Sequence, residues 1–181
     1  MNRYFDIALN LASDRFSGER DKIITDALTR NVNYFNIVCS SLNELDLVKD
    51  LNERYEKNSC FTLGVHPHNA NELNGNTLKS LKDYIKIHQP SAVGETGLDF
   101  FRNLSSYENQ INAFEQQIII SIENNLPLFL HQREAHDDFI KVIDKYISEI
   151  PRGVVHCFTG TQFQLDDYLE RDLYVGLTGW I

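Results

Sequence analysis

Short apolar runs recur along the chain and alternate with longer segments in which apolar residues fall three or four positions apart. The runs are rich in β-branched and aromatic residues and predict seven strands, at residues 4–10, 34–39, 60–65, 91–94, 128–131, 154–157 and 174–178. Their starts lie about thirty residues apart, which is the size of one strand followed by one helix. The pattern therefore predicts an α/β protein.

Two of the intervening segments carry clear helical signals. Ser105 and Glu108 fit a capping box at the start of an amphipathic helix whose apolar face continues to Ile122. A second helix is predicted over residues 136–150, with Pro151 as its stop. Because parallel strands need a crossover connection each time, strands that alternate with helices predict a parallel sheet covered by helices.

Two architectures accommodate such a sheet, an open doubly wound sheet and a (β/α)₈ barrel. No strand is followed by a glycine-rich dinucleotide fingerprint or a P-loop. Polar residues stand instead at the carboxyl ends of several strands, where barrel enzymes carry their chemistry. We predict a TIM-type barrel that occupies residues 1–181 as a single domain. With only about seven strands, and fewer than the roughly 200 residues that such barrels usually need, we expect the barrel to be incomplete.

Composition narrows the class of protein. The chain has 181 residues, of which 42% are apolar, and a formal net charge of −9, which argues against a protein that coats nucleic acid through bulk charge. An enzyme that meets phosphate through a bound metal remains open. Three widely spaced cysteines predict free thiols in the cytoplasm. We expect no membrane span, because the apolar runs fall far short of ~20 residues. We expect no signal peptide, because the N-terminal stretch lacks a basic region and a small-residue cleavage site.

Metal-binding residue types close four of the predicted strands: His66, Glu95, His131 and His156. One histidine after an apolar run is more often a core or capping residue than a ligand, but four such strand ends would meet at one mouth of a parallel barrel. A carboxylate at the end of a buried strand is costly unless a cation or hydrogen bonds offset it. We therefore predict a metal site made by Glu95, His131 and His156.

Nearby polar residues rank lower. His66 and His68 flank Pro67, which favours a turn over a strand, so both rank below the three predicted ligands. Asp99 lies in a predicted loop, where it caps a turn or holds Arg102, or belongs to the site. Cys157 is expected to point towards the helix layer as a small apolar residue, because neighbouring strand residues alternate in direction.

Arg133 has two interpretations. It lies two residues after His131, and the first interpretation is a surface ion pair with Glu134 or Asp137. The second is a clamp on a phosphate or carboxylate, because the guanidinium fork matches such anions. The sequence leaves both open.

Four motifs together resemble a known family. The stretches "GVHPH", "VGETGLDF", "LPLFLHQREAH" and "VVHCFTGT" are similar to the internal signatures of the TatD family of metal-dependent hydrolases, in its order and at its spacing. The opening "FDIALNLASDRF" and the closing "YVGLTGW" resemble the branch that contains TatD itself. The resemblance implies a TIM-type barrel of the amidohydrolase-like group. It also implies divalent-metal-dependent 3′–5′ exonuclease action on single-stranded DNA and RNA.

The resemblance also implies roles for particular residues. Glu95, His131 and His156 match the metal ligands of the family, and His66 matches a histidine that lines the same pocket. We expect His66 and Arg133 to neutralise phosphoryl oxygens during hydrolysis. The family implies magnesium, although two imidazoles suit zinc, manganese or iron better. We expect neither a membrane nor an obligate protein partner.

Two departures from the family pattern leave other readings open. Ala8 and Asn10 stand where many relatives carry a histidine pair, which implies fewer ligands for a second metal ion. The family's eighth strand ends in an aspartate that ligates metal, and the sequence ends at Ile181, so we expect this chain to lack that residue. The alternatives are an amidohydrolase-type enzyme acting on a small amide or ester, and a truncated homologue that binds without turnover.

Overall fold

The computed structural model describes residues 3–179, and its centre is one sheet of seven parallel strands. The strands are β1 (Tyr4–Leu9), β2 (Val32–Ile37), β3 (Ser59–Leu63), β4 (Ala92–Asp99), β5 (Leu128–Arg133), β6 (Gly153–Val155) and β7 (Tyr174–Val175). Each strand pairs with the next one along the chain, so the spatial order is β1 to β7 without a reversal. A doubly wound sheet reverses its order at a switch point. The barrel-type α/β fold is therefore confirmed.

Six α-helices connect consecutive strands. They are α1 (Arg20–Thr29), α2 (Leu45–Arg54), α3 (Gly75–His88), α4 (Tyr107–Asn124), α5 (His136–Asp144) and α6 (Gln162–Leu169). Short 3₁₀ turns precede three of them, at Asp14–Phe16, Leu42–Glu44 and Pro67–Glu72. Within residues 3–179, none of the helices is long and apolar enough to cross a membrane.

The predicted start of α4 is wrong by one residue. Ser106, not Ser105, is the N-cap, and its hydroxyl accepts a hydrogen bond from the backbone N–H of Asn109. Ser105 is buried, where its hydroxyl donates to the carbonyl of His68 and accepts from the N–H of Asn71. The tertiary contacts of Ser105 remove it from the cap, so the predicted capping box with Glu108 does not form.

The predicted end of α5 is also wrong. The helix ends at Asp144, and the segment from there to Pro151 is a series of turns. Tyr146, Ile147 and Ile150 nevertheless pack against the core. Apolar spacing reports which side chains face inward, and it does not require that the hydrogen-bond ladder continues.

The sheet curls around an interior as well as packing against helices. On its outer face, Phe114 of α4 stacks on Phe139 of α5 with ring centroids 5.1 Å apart. On the inner face, Ile7 of β1 and Val154 of β6 pack with Phe129 of β5. Strands far apart in the spatial order meet only if the sheet is curved, and this curvature brings their carboxyl ends together.

Candidate metal and active site

Glu95 lies at the centre of the carboxyl ends of β3 to β6. Its Oε1 lies 2.6 Å from Nε2 of His156, 3.0 Å from Nδ1 of His131 and 3.4 Å from Nε2 of His66. The hydroxyl of Ser40 donates to Oε2 at 3.3 Å. The three imidazoles come from the ends of three different strands. The four side chains singled out at the strand ends are therefore brought together.

A second carboxylate extends this cluster. Asp99 Oδ2 lies 2.7 Å from Nε2 of His68 and 3.3 Å from Nε2 of His131. Its Oδ1 accepts a hydrogen bond from the backbone N–H of Arg102 at 2.8 Å. The turn-capping interpretation of Asp99 is thus correct, and the same carboxylate also faces the site. His131 bridges the two carboxylates, one on each ring nitrogen.

Two local structures that the sequence pattern does not indicate bring Asp99 and His68 into the cluster. β4 continues to Asp99 instead of ending at Gly94, so residues 95 and 99 share one face of an extended strand. Pro67 does begin a 3₁₀ turn, but the turn folds His68 back over the site. In that turn Nδ1 of His66 accepts from the N–H of His68, which leaves Nε2 of His66 directed at Glu95.

The charges of the cluster support one another. Burial alone would raise the pKa of Glu95, but hydrogen bonds from His131, His156 and His66 hold it well below its usual range. Burial lowers the pKa of His131, yet contacts with Asp99 and Glu95 outweigh burial and raise it to about 9. Burial dominates at His66, and its pKa is lowered. The cluster therefore holds an ionised carboxylate beside imidazoles of different basicity.

The two ring nitrogens of His156 have different surroundings. Its ring stacks on Phe129 with centroids 4.8 Å apart, and its Nε2 contacts Glu95. Its Nδ1 is buried and has no hydrogen-bond partner among the described residues, 3–179. Cys157 is exposed and lines the cavity of about 500 Å³ in front of the cluster, so the expectation that it faces the helix layer is wrong. β6 ends at Val155, and strand alternation no longer applies at the cysteine.

Arg133 stands at the edge of the same cavity. Its guanidinium carbon lies 3.9 Å from the centroid of the Phe101 ring. Among residues 3–179 it forms no ion pair with Glu134 or Asp137, the partners considered for it. Arg102 also lines this cavity, so two arginines border the carboxylate and imidazole cluster.

Two buried glutamines on α4 fix the strands that carry the site. Gln117 accepts from the N–H of Val65 at 2.8 Å and donates to the carbonyl of the same residue at 2.9 Å. It also donates to the hydroxyl of Thr96, next to Glu95, at 2.7 Å. Gln110, two turns earlier, contacts both backbone groups of Asp99. Apolar spacing on this helix does not indicate either glutamine as a functional residue.

Two glycines set the separation between β4 and β5. Gly94 has a φ of +142° and Gly97 a φ of +139°. A Cβ at Gly94 would overlap the carbonyl oxygen of Phe129, and one at Gly97 would overlap that of His131. The peptide bond between Gly94 and Glu95 is cis. The close approach of β4 to β5 at the two glycines brings Glu95 and His131, on these neighbouring strands, within contact distance.

The chain is similar to curated proteins over almost its whole length. The chain is 38% identical over 177 residues to the 3′–5′ ssDNA/RNA exonuclease TatD of Pantoea ananatis, covering 98% of this chain and 68% of the relative. It is 40% identical to the protein of that name from Erwinia tasmaniensis, with the same coverage. The chain thus spans about two thirds of the length of these relatives.

The fold is also similar to that of solved structures. An uncharacterized amidohydrolase from Saccharomyces cerevisiae superposes with a TM-score of 0.87 at 26% identity, over 97% of this chain and 67% of that one. A TatD family hydrolase from Entamoeba histolytica superposes with a TM-score of 0.88 at 27% identity, over 98% of this chain and 65% of that one. The sequence model described as TatD related DNase matches residues 5–181. With that match over nearly the whole chain, and with the four strand-end motifs meeting at one carboxylate, the chain belongs to the TatD-related DNase family of hydrolases.

Proposed function

We propose that the chain is a divalent-metal-dependent phosphodiester hydrolase that removes nucleotides from the 3′ end of single-stranded DNA or RNA. The names of its relatives supply the substrate class and polarity. The observation that carries the proposal is the convergence of His66, His131 and His156 on one oxygen of Glu95, at 2.6 to 3.4 Å. Since the chain spans about two thirds of those relatives, the activity of the whole protein is part of the proposal.

The donor set fits a divalent cation. We assign Glu95, His131 and His156 as its ligands. Ligand atoms of His66, Glu95 and His131 lie within 4.8 Å of one another, and Nε2 of His156 contacts the same carboxylate. A carboxylate with several imidazoles suits zinc, manganese or iron better than magnesium, which prefers oxygen ligands. When bound, such a cation lowers the pKa of a bound water and polarises a phosphoryl oxygen.

The side chains around the ligands have separate roles in this proposal. Asp99 holds the His131 ring from the side opposite Glu95, which fixes the orientation of that ring. His66 is buried beside Glu95, and its lowered pKa keeps the imidazole neutral, with Nε2 on the side of the carboxylate where a non-bridging oxygen would bind. Arg133 supplies a permanent positive charge at the cavity edge for the phosphate next to the scissile bond.

A cytoplasmic location, a single domain and the lack of an obligate protein partner belong to the same proposal. All three cysteines are free thiols, as expected in a reducing compartment. The site draws its residues from consecutive strands of one sheet, which supports a single domain.

The test is an exonuclease assay on a 5′-labelled single-stranded oligonucleotide with added Mn²⁺, comparing the parent chain with Glu95→Gln and His131→Ala. We expect a ladder shortened from the 3′ end with the parent, and at least about a hundredfold loss of rate in both variants. His88→Ala, on helix α3 away from the cluster, is the matched control and should keep the parent rate.

Two results would contradict the proposal. One is an His131→Ala variant as active as its parent. The other is hydrolysis of a carboxamide or carboxylic ester reporter by a parent chain that leaves the oligonucleotide intact, which would favour the amidohydrolase alternative. No contact in residues 3–179 favours that alternative over phosphodiester hydrolysis.

A further inference from the structure

The aromatic ring of Phe101 lies against Arg133, which lines the cavity, and the hydrolysis proposal does not use this ring. Phe101 lies two residues after the end of β4, and 51% of its surface is exposed although it is a large apolar side chain. The guanidinium carbon of Arg133 lies 3.9 Å from the ring centroid. Two flat groups, one apolar and one cationic, are therefore stacked at the mouth of the cavity.

The position of this stack relates it to the proposed reaction centre. Arg133 and His131 are two residues apart on β5, so they share one face and their Cα atoms are separated by about 7 Å. Arg133 also lines the cavity of about 500 Å³ that contains Glu95, His131 and His156. A separation of this size is comparable to the span from a phosphate to a base within one nucleotide.

The chemistry of the stack matches an unpaired nucleobase. Each base has a flat π-face, and aromatic side chains and arginine planes bind such faces with little dependence on sequence. The chain carries a net charge of −9, so bulk charge does not hold a polyanion on it. Stacking on a neutral ring, with Arg102 and Arg133 as local cations, gives binding energy that does not depend on a basic surface.

We propose that the stacked pair of Phe101 and Arg133 is a platform for a base of the single-stranded substrate, beside the scissile phosphate. This inference rests on the proposed function, because it assigns a base-binding position to the same site. The platform also gives a physical reason for single-strand selectivity. A base within a duplex has both faces covered by its neighbours and must unstack before it can bind there.

The test uses two single-stranded oligonucleotides that differ only at the 3′ end. One is ordinary DNA, and in the other the last two residues are abasic tetrahydrofuran analogues, which keep every phosphate. We compare the parent chain with Phe101→Ala, Phe101→Trp and Tyr84→Ala, measuring both kcat/KM with Mn²⁺ and binding by fluorescence anisotropy. Tyr84, a partly exposed aromatic on the outer helix α3, is the matched control.

The parent should prefer the ordinary oligonucleotide. Phe101→Ala should lower kcat/KM and affinity for it by at least about fivefold, as expected for loss of one base–aromatic stack. For the abasic oligonucleotide, kcat/KM and affinity of the same variant should stay within about twofold of the parent values. Phe101→Trp and Tyr84→Ala should keep the parent's preference for the ordinary oligonucleotide.

Other outcomes separate the two proposals. If Phe101→Ala lowers kcat/KM and affinity equally for both oligonucleotides, Phe101 only supports Arg133, and the platform is refuted. If it changes neither, or if the parent does not distinguish them, the platform is likewise refuted. If binding shows the base preference and its loss in Phe101→Ala while no oligonucleotide is hydrolysed, the platform stands and the proposed nuclease function fails.

Discussion

Replacing Gln117 by leucine tests how the helix layer controls the site. The glutamine lies fully buried in α4 and contacts both backbone groups of Val65, which precedes His66. Its amide also reaches the hydroxyl of Thr96, the neighbour of Glu95. Leucine has a similar size and no polar atom, so the variant removes the hydrogen bonds with little change in packing volume.

The expected loss of stability follows from the polar groups that no longer have a hydrogen-bond partner in the variant. The N–H and C=O of Val65 and the hydroxyl of Thr96 lose a partner in a place that water does not reach. A buried polar group left unsatisfied costs about 1 to 3 kcal/mol, so three such groups cost about 3 kcal/mol or more. That is a large part of the free energy of unfolding of a typical protein, which is about 5 to 15 kcal/mol. We expect Tm to fall by about 6 to 12 °C for a chain of this size.

Urea and thermal unfolding followed by circular dichroism measure this loss. The matched control is Gln116→Leu, the same chemical change at the adjacent residue. Gln116 is half-buried, and its side chain forms no hydrogen bond within the part of the chain that is described. If both variants unfold at the same urea concentration, the reasoning is refuted, because it attributes the loss to the bonds of Gln117 and not to the chemistry of the substitution.

Two further predictions concern Gly97 and the cysteines. Gly97→Ala should destabilise the chain by about 1 to 3 kcal/mol, because a Cβ at a φ of +139° would overlap the carbonyl of His131. Gly75→Ala, with open space around its Cβ, should not destabilise it, and equal urea midpoints for the two variants would contradict the explanation. Cys39, whose pKa is raised by burial to about 12, should resist iodoacetamide at mildly alkaline pH, while the exposed Cys157 reacts. Peptide mass spectrometry identifies the labelled thiol, and rapid native labelling of Cys39 would overturn this prediction.

The sequence predicted the fold and the central residues because both depend on local pattern and on one geometric rule. Apolar runs located the seven strands, and the common direction of parallel strands placed Glu95, His131 and His156 at one end. Contacts between different helices, strands and turns were harder to predict from the sequence. Asp99 belongs to the cluster because β4 is longer than its apolar run, and a carboxylate two residues after a glycine is equally typical of a turn.

The glutamines of α4 illustrate a second limit. Gln110 and Gln117 lie on the buried side of the helix, where a pattern of apolar residues predicts more apolar residues. They are buried because strand backbone groups that the sheet does not pair need partners from the helix layer. Which strand group lies opposite which helix residue depends on the three-dimensional register of α4, and single-sequence periodicity does not contain that information.

The order of the strands has a consequence for how the nascent chain reaches its native state. Glu95 leaves the ribosome 36 residues ahead of His131 and 61 residues ahead of His156, two of the side chains that later offset its charge. Until those residues have been synthesised, withdrawing the carboxylate from water is unfavourable. The tip of β4 should therefore stay hydrated during translation, and Glu95 becomes largely buried only when the sixth strand docks.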